Sequence, residues 1–209
     1  NAEKIETDQL INELKNVDGI LIPGGFGYRG VEGKIQAIKF ARENDIPFFG
    51  ICLGMQLSVI EISRNLMGKQ DSNSTEFKTS NNPVVSLMTE WNNENKTEKR
   101  DLTSDKGGTM RLGSYRAVLK KGSKIHNIYN SDEISERHRH RYEVDLSYTR
   151  DFEKKGFHFS GMSPDNILPE VIESVNHKWF IGVQFHPELK SRPLAPHPLF
   201  SSFIKHCIK

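Results

Sequence analysis

The sequence predicts an α/β protein: an open, mostly parallel sheet flanked by helices, with an antiparallel strand addition. Two observations carry this. In the first third, short apolar runs at 19–22 and 46–52 alternate with segments of helical apolar spacing. Strands separated by single helices make a parallel sheet covered on both faces. The remainder is richer in strands, with apolar runs following one another across few helical segments, the pattern of an antiparallel addition.

The elements follow in order. Thr7 or Asp8 caps a short helix with Leu10, Ile11 and Leu14 on one face. Gly19-Ile-Leu-Ile22 is a buried strand that stops at Pro23. After a glycine-rich loop, Ile35, Ile38 and Ala41 recur at helical spacing as far as Asn44-Asp45. The run 46–52 is the next strand, and Met55, Val59, Ile62 and Leu66 mark a helix that Gly68 ends. Strands are predicted over 84–88, 110–119, 137–144, 157–161, 170–175 and 179–185. A tail punctuated by Pro187, Pro193, Pro196 and Pro198 leads into a last helix carrying Phe200, Phe203 and Ile204. Residues 89–108 are almost wholly polar and read either as a surface loop or as a lid. No repeat or linker interrupts the order, so residues 1–209 read as a single domain.

A chain of 209 residues buries roughly 70% of its unfolded surface, so its core needs no disulfide or metal staple. Its longest apolar stretches run fewer than ten residues, whereas a membrane-spanning helix needs about twenty. The first residues have no apolar h-region of a signal peptide. Lys plus Arg is 29 against 27 for Asp plus Glu, a net charge of +2, which gives no general reason to bind nucleic acid or a membrane surface. Two widely separated cysteines, Cys52 and Cys207, exclude paired-cysteine zinc or redox motifs. A reducing, cytoplasmic compartment is the expectation.

Gly50-Ile-Cys52-Leu-Gly54 falls where a buried strand runs into a helix, the thiol version of a nucleophile elbow. The glycines fit a turn with no room for a Cβ on either side of the nucleophile, and the following helix's positive end is expected to acidify Cys52. The alternative is a small buried cysteine between packing glycines. In Gln184-Phe-His186-Pro-Glu188, His186 would stand at the rim of the sheet, with Pro187 holding the backbone extended so that Glu188 fixes the imidazole tautomer. A solvated histidine at a strand end is the alternative there. Gly25-x-Gly27-x-x-Gly30 formally matches a dinucleotide fingerprint, but the next strand ends in Cys52 where that fold needs a carboxylate. Gly24-Gly25 is better used to aim an amide at the site as half of an oxyanion hole, with the Leu53 N–H as the other half.

In Glu136-Arg-His-Arg-His-Arg-Tyr-Glu143 an extended backbone puts Arg137, Arg139 and Arg141 on one face and His138, His140 and Tyr142 on the other. Interleaved guanidiniums repel a dication, so no metal site is expected. A guanidinium fork instead suits a carboxylate ligand, or structural ion pairs for Arg137 and Arg139. No G-x-x-x-x-G-K-[ST] run is present.

Together PGGFGYRG, GICLGMQ, NSTEF, GGTMRLG, ERHRHRYEV and VQFHPE resemble the class I, triad-type glutamine amidotransferases, and the NSTEF, GGTMRLG and RHRHRYEV segments resemble the CTP synthase branch. The resemblance implies Cys52 as nucleophile, His186 as base and Glu188 as third triad member. It implies Gly25 in the oxyanion hole and Leu53, Gly54, Met55, Gln56, Glu76 and Arg141 at glutamine-binding positions. No metal or organic cofactor is implied for glutamine hydrolysis. In a full-length enzyme of this branch, GTP is an allosteric activator and Mg-ATP is consumed. L-glutamine, a preceding amidoligase domain of the same polypeptide and a homo-tetramer are the implied partners. That amidoligase domain and the family domain's first strand and helix are not represented in the sequence. An amidotransferase of another synthetase, such as GMP synthetase or anthranilate synthase, and a silent assembly domain are the rival readings.

Overall fold

The computed structural model describes residues 9–87, 90–93, 96–99 and 110–208. In chain order these form α1 (Gln9–Leu14), β1 (Ile20–Ile22), α2 (Val31–Glu43), β2 (Phe48–Ile51), α3 (Leu53–Asn65), β3 (Asn73–Ser74) and β4 (Pro83–Leu87). Then come β5 (Glu90–Asn93), β6 (Lys96–Lys99), β7 (Arg111–Leu119), α4 (Lys124–Tyr129), β8 (Glu133–His140) and β9 (Tyr142–Val144). The chain continues through α5 (Thr149–Lys154), β10 (Phe157–Met162), β11 (Pro169–Ser174), β12 (Phe180–Val183) and α6 (Pro198–Cys207).

The main sheet has seven strands in the order β1-β2-β12-β11-β10-β7-β8. β2 lies between β1 and β12, parallel to both, and the remaining pairings are antiparallel. This is the α/β architecture with an antiparallel addition that the element order predicts. Strand alternation splits the apolar side chains into two cores. Phe48, Ile172 and Phe180 pack under α2 and α3, while Phe49, Val171, Ile181 and Val183 pack under α4 and α6. A small sheet, β3-β4-β9, lies beside the larger one.

Three departures have local causes. The predicted strand over 137–144 is broken at Arg141, between β8 and β9, and β8 starts earlier at Glu133. Its opening residues alternate exposed Glu133 and Ser135 with buried Ile134 and Glu136, so polarity hides the pattern. α4 and α5 are not anticipated, because each is six residues long and buries one side chain, Ile125 or Phe152. Within the polar stretch 89–108, β5 and β6 form a hairpin with Glu90 opposite Lys99; the rest of that stretch, and the cap at Thr7 or Asp8, lie outside the described residues.

Candidate active site

The turn from β2 into α3 is built by close approach. A Cβ on Gly50 would come within 2.7 Å of the Gly54 backbone, and one on Gly54 would run into the Ile22 carbonyl oxygen of β1. Both positions therefore need glycine. Between them Cys52 takes φ 50° and ψ −100°, a conformation costing on the order of 1–3 kcal/mol for a non-glycine residue. Its N–H donates to the Val183 carbonyl (2.7 Å) and its carbonyl accepts from Gln56 N–H (3.2 Å), which hold the strained residue in place. The Cys52 side chain is buried.

The expectation of an acidified thiol does not hold in this resting geometry. Burial pushes Cys52 up to about 12, and Glu143, Glu188 and Glu76 add to the rise. The Leu53 N–H at the helix start pulls the other way and is outweighed. Desolvation of the anion exceeds what one helix terminus supplies. The thiol therefore rests protonated, and any attack by sulfur needs a base.

His186 and Glu188 form an imidazole–carboxylate pair beside this turn. Its Nδ1 lies 2.6 Å from Glu188 Oε1. With a carboxylate as acceptor, Nδ1 carries the proton and Nε2 keeps its lone pair. Nε2 is buried and has no hydrogen-bond partner among the described residues. Burial opposes ionisation of Glu188, yet its bond from His186 and a backbone bond hold it below the usual carboxylate value. Pro187 to Leu189 form a 3-10 turn rather than the extended run expected from Pro187; the turn still returns Glu188 to the ring. The His186 N–H donates to the Arg137 carbonyl of β8 (2.8 Å), tying base to sheet.

Thiol and base meet across Gly24. A Cβ there would lie 2.6 Å from His186 Cε1 and 3.6 Å from Cys52 Cβ, and one on Gly25 would meet Leu53 Cδ2 at 3.2 Å. The glycine loop after β1 thus packs on the elbow, with Gly25 beside Leu53. Glu76 reaches the same loop, accepting from Gly27 N–H at 2.9 Å. Burial raises the Tyr142 hydroxyl above its usual value, Glu76 adds to the rise and Arg141 opposes it.

Other predicted residues face inward. Met55 is wholly buried in the α2–α3 core. Gln56 is buried and donates to the Tyr142 carbonyl (2.8 Å) and Gln184 Oε1 (3.1 Å). Gln184 was not singled out from sequence, although it lies in the VQFHPE segment; its Nε2 sits 3.7 Å from Cys52 Sγ. Behind it Arg111 bonds Glu170 (2.6 Å), and His138 bonds His140 (3.0 Å). Glu170 stands alone between apolar strand residues, so no local signal marks it. No cluster among the described residues could hold a metal ion, and no helix there is long and apolar enough to cross a membrane.

Comparison with known proteins agrees with this geometry. The family described as Glutamine amidotransferase class-I matches residues 1–206. A CTP synthase of Bradyrhizobium diazoefficiens is 61% identical over 205 residues, covering 98% of this chain and 38% of that protein. One from Paramagnetospirillum magneticum is 56% identical over 209 residues, covering 100% of this chain and 39% of that protein. The chain thus spans about two-fifths of the length of these relatives. Among solved structures, the Trypanosoma brucei CTPS glutaminase domain with bound acivicin superposes at TM-score 0.87, with 39% identity over 99% of this chain and 78% of that one. A Thermoplasma acidophilum putative GMP synthase subunit shares the fold at 16% identity and TM-score 0.58, covering 94% of this chain and 75% of that one.

Proposed function

The chain belongs to the class-I glutamine amidotransferase family, and we propose that it is the glutaminase part of a CTP synthase, releasing ammonia from L-glutamine through Cys52, His186 and Glu188. The observation that carries this is a strained, buried thiol facing an imidazole across Gly24, with the imidazole oriented by a carboxylate. His186 Nε2 takes the thiol proton as sulfur attacks the amide carbon. The resulting oxyanion is held by the Gly25 and Leu53 N–H groups. The same nitrogen then protonates departing ammonia, leaving a γ-glutamyl thioester, and removes a proton from the water that releases glutamate. Keeping the thiol neutral until substrate arrives protects it from side reactions. In this reading Glu76 takes the α-ammonium and Arg141 the α-carboxylate that free glutamine carries and a peptide glutamine lacks.

Relatives more than twice as long as this chain support a larger enzyme in which a preceding amidoligase domain consumes Mg-ATP to activate UTP and accepts the ammonia. GTP as activator, a homo-tetramer and a cytoplasmic location belong to the same reading. The test is glutamate release by the full-length protein. Wild type should turn over glutamine, and Cys52→Ala should lose on the order of 10⁴-fold or more while still making CTP from free ammonia. Glutamate release by Cys52→Ala would refute the assignment.

A further inference from the structure

The buried histidines of β8 form a hydrogen-bonded run that ends on the site. The Tyr142 carbonyl can only accept, so the His140 Nδ1 lying 3.2 Å from it carries a proton. Glu143 Oε1, 3.4 Å from the same nitrogen, is also an acceptor. His140 Nε2 lies 3.0 Å from His138 Nδ1, and one proton lies between the two rings. His138 Nε2 lies 3.5 Å from Glu170 Oε2. Arg111 faces Glu143 and Glu170, so one extra proton on these histidines and carboxylates makes the buried group neutral. Burial raises Glu170 against the pull of Arg111, and burial, Arg111 and His140 lower His138.

At its other end the run reaches sulfur. The Tyr142 carbonyl also accepts from Gln56 Nε2, which touches Gln184 Oε1, whose amide lies beside Cys52 Sγ. The Glu170 carbonyl accepts the Gln184 N–H at 2.9 Å, so both ends of the run fasten on Gln184. We propose that His140 is a positioning residue: by donating from Nδ1 to the Tyr142 carbonyl it fixes the turn at Arg141 and Tyr142 and, through Gln56, the Gln184 amide against Cys52. The activity assay for this role rests on the glutaminase reading; the geometry does not.

An asparagine amide replaces a histidine Nδ1–H, and a glutamine amide replaces Nε2. In the full-length protein, His140→Asn should keep kcat for glutamate release within about threefold, because the carbonyl keeps its donor. His140→Gln should lose about 10- to 100-fold in kcat through a displaced thiol environment, with melting temperatures matching within about 2 °C. Equal kcat in the two variants, or loss that only follows the folded fraction, would overturn the proposal. If wild type releases no glutamate, the glutaminase reading fails, and the alkylation rate of Cys52 by iodoacetamide decides the positioning role. A rate altered in His140→Gln but not in His140→Asn upholds it, and equal rates reject it. Nitrogen-15 NMR of wild type needs no variant: His140 should carry a proton on Nδ1, and a neutral Nε2–H tautomer there would contradict the donor role.

Discussion

β1, β2 and β12 bury little but apolar side chains, whereas β7, β8 and β11 bury Arg111, Glu136, His138, His140, Glu170 and Glu173. The first group places Cys52 by backbone: glycines let α3 settle on β1, and main-chain bonds from the Val183 carbonyl and Gln56 hold the strained residue. The second group places its side chains through polar bonds to partners on other strands, on α4 and within β8 itself. Backbone crowding tolerates no added atom, while a hydrogen-bonded network tolerates change only where donor and acceptor are kept. The two halves should therefore fail in different ways.

The largest effect tests the crowded half. Gly54→Ala drives a methyl group into a carbonyl oxygen on β1 that has no flexible end to move, so a loss of about 3 kcal/mol or more is expected, a large share of a typical domain's stability. Gly25→Ala meets only the Leu53 Cδ2 methyl at 3.2 Å and should cost less than about 1 kcal/mol. Urea unfolding of both variants checks this, and equal costs would break the contrast.

The polar half should fail in binding before stability. Arg141→Lys keeps charge but loses the fork that grips a carboxylate. A loss of about 30- to 1000-fold in glutamine kcat/KM is expected, mainly in KM, with ammonia-dependent synthesis near normal. An unaltered KM alongside a lowered melting temperature would make Arg141 a structural ion pair instead.

A smaller effect concerns pH. The folded state holds the Cys52 proton up to about 12, while the unfolded thiol releases it near 8.5. Between those values the unfolded chain binds fewer protons, so stability should fall as pH rises. Chemical denaturation of wild type and Cys52→Ala from pH 8 to 11 isolates this contribution, because other titrating groups are common to both. Parallel curves would mean that the thiol is not held neutral.

Much of the crowded half was legible in sequence because glycine spacing around Cys52 is local, and 3.6-residue periodicity marks α2 and α3 over thirteen residues each. The alternation of His138 and His140 with Arg137 and Arg139 was legible too, since β8 keeps period two. What lay beyond reading was the identity of partners. Glu170 on β11 meets Arg111 on β7 and His138 on β8, partners from distant segments that only the folded sheet brings together. The thiol's neutrality was misjudged for a related reason: a helix terminus is visible locally, whereas burial depends on the whole fold.

The central claim is that Cys52, buried and neutral at rest, is the residue that reacts with a free glutamine side chain. A diazo-ketone mimic of glutamine followed by mass mapping tests it directly, because Cys207 on α6 is the other thiol. The prediction is one adduct on Cys52, suppressed by L-glutamine, with Cys207 unmodified. A label on Cys207, or none on Cys52, would contradict it.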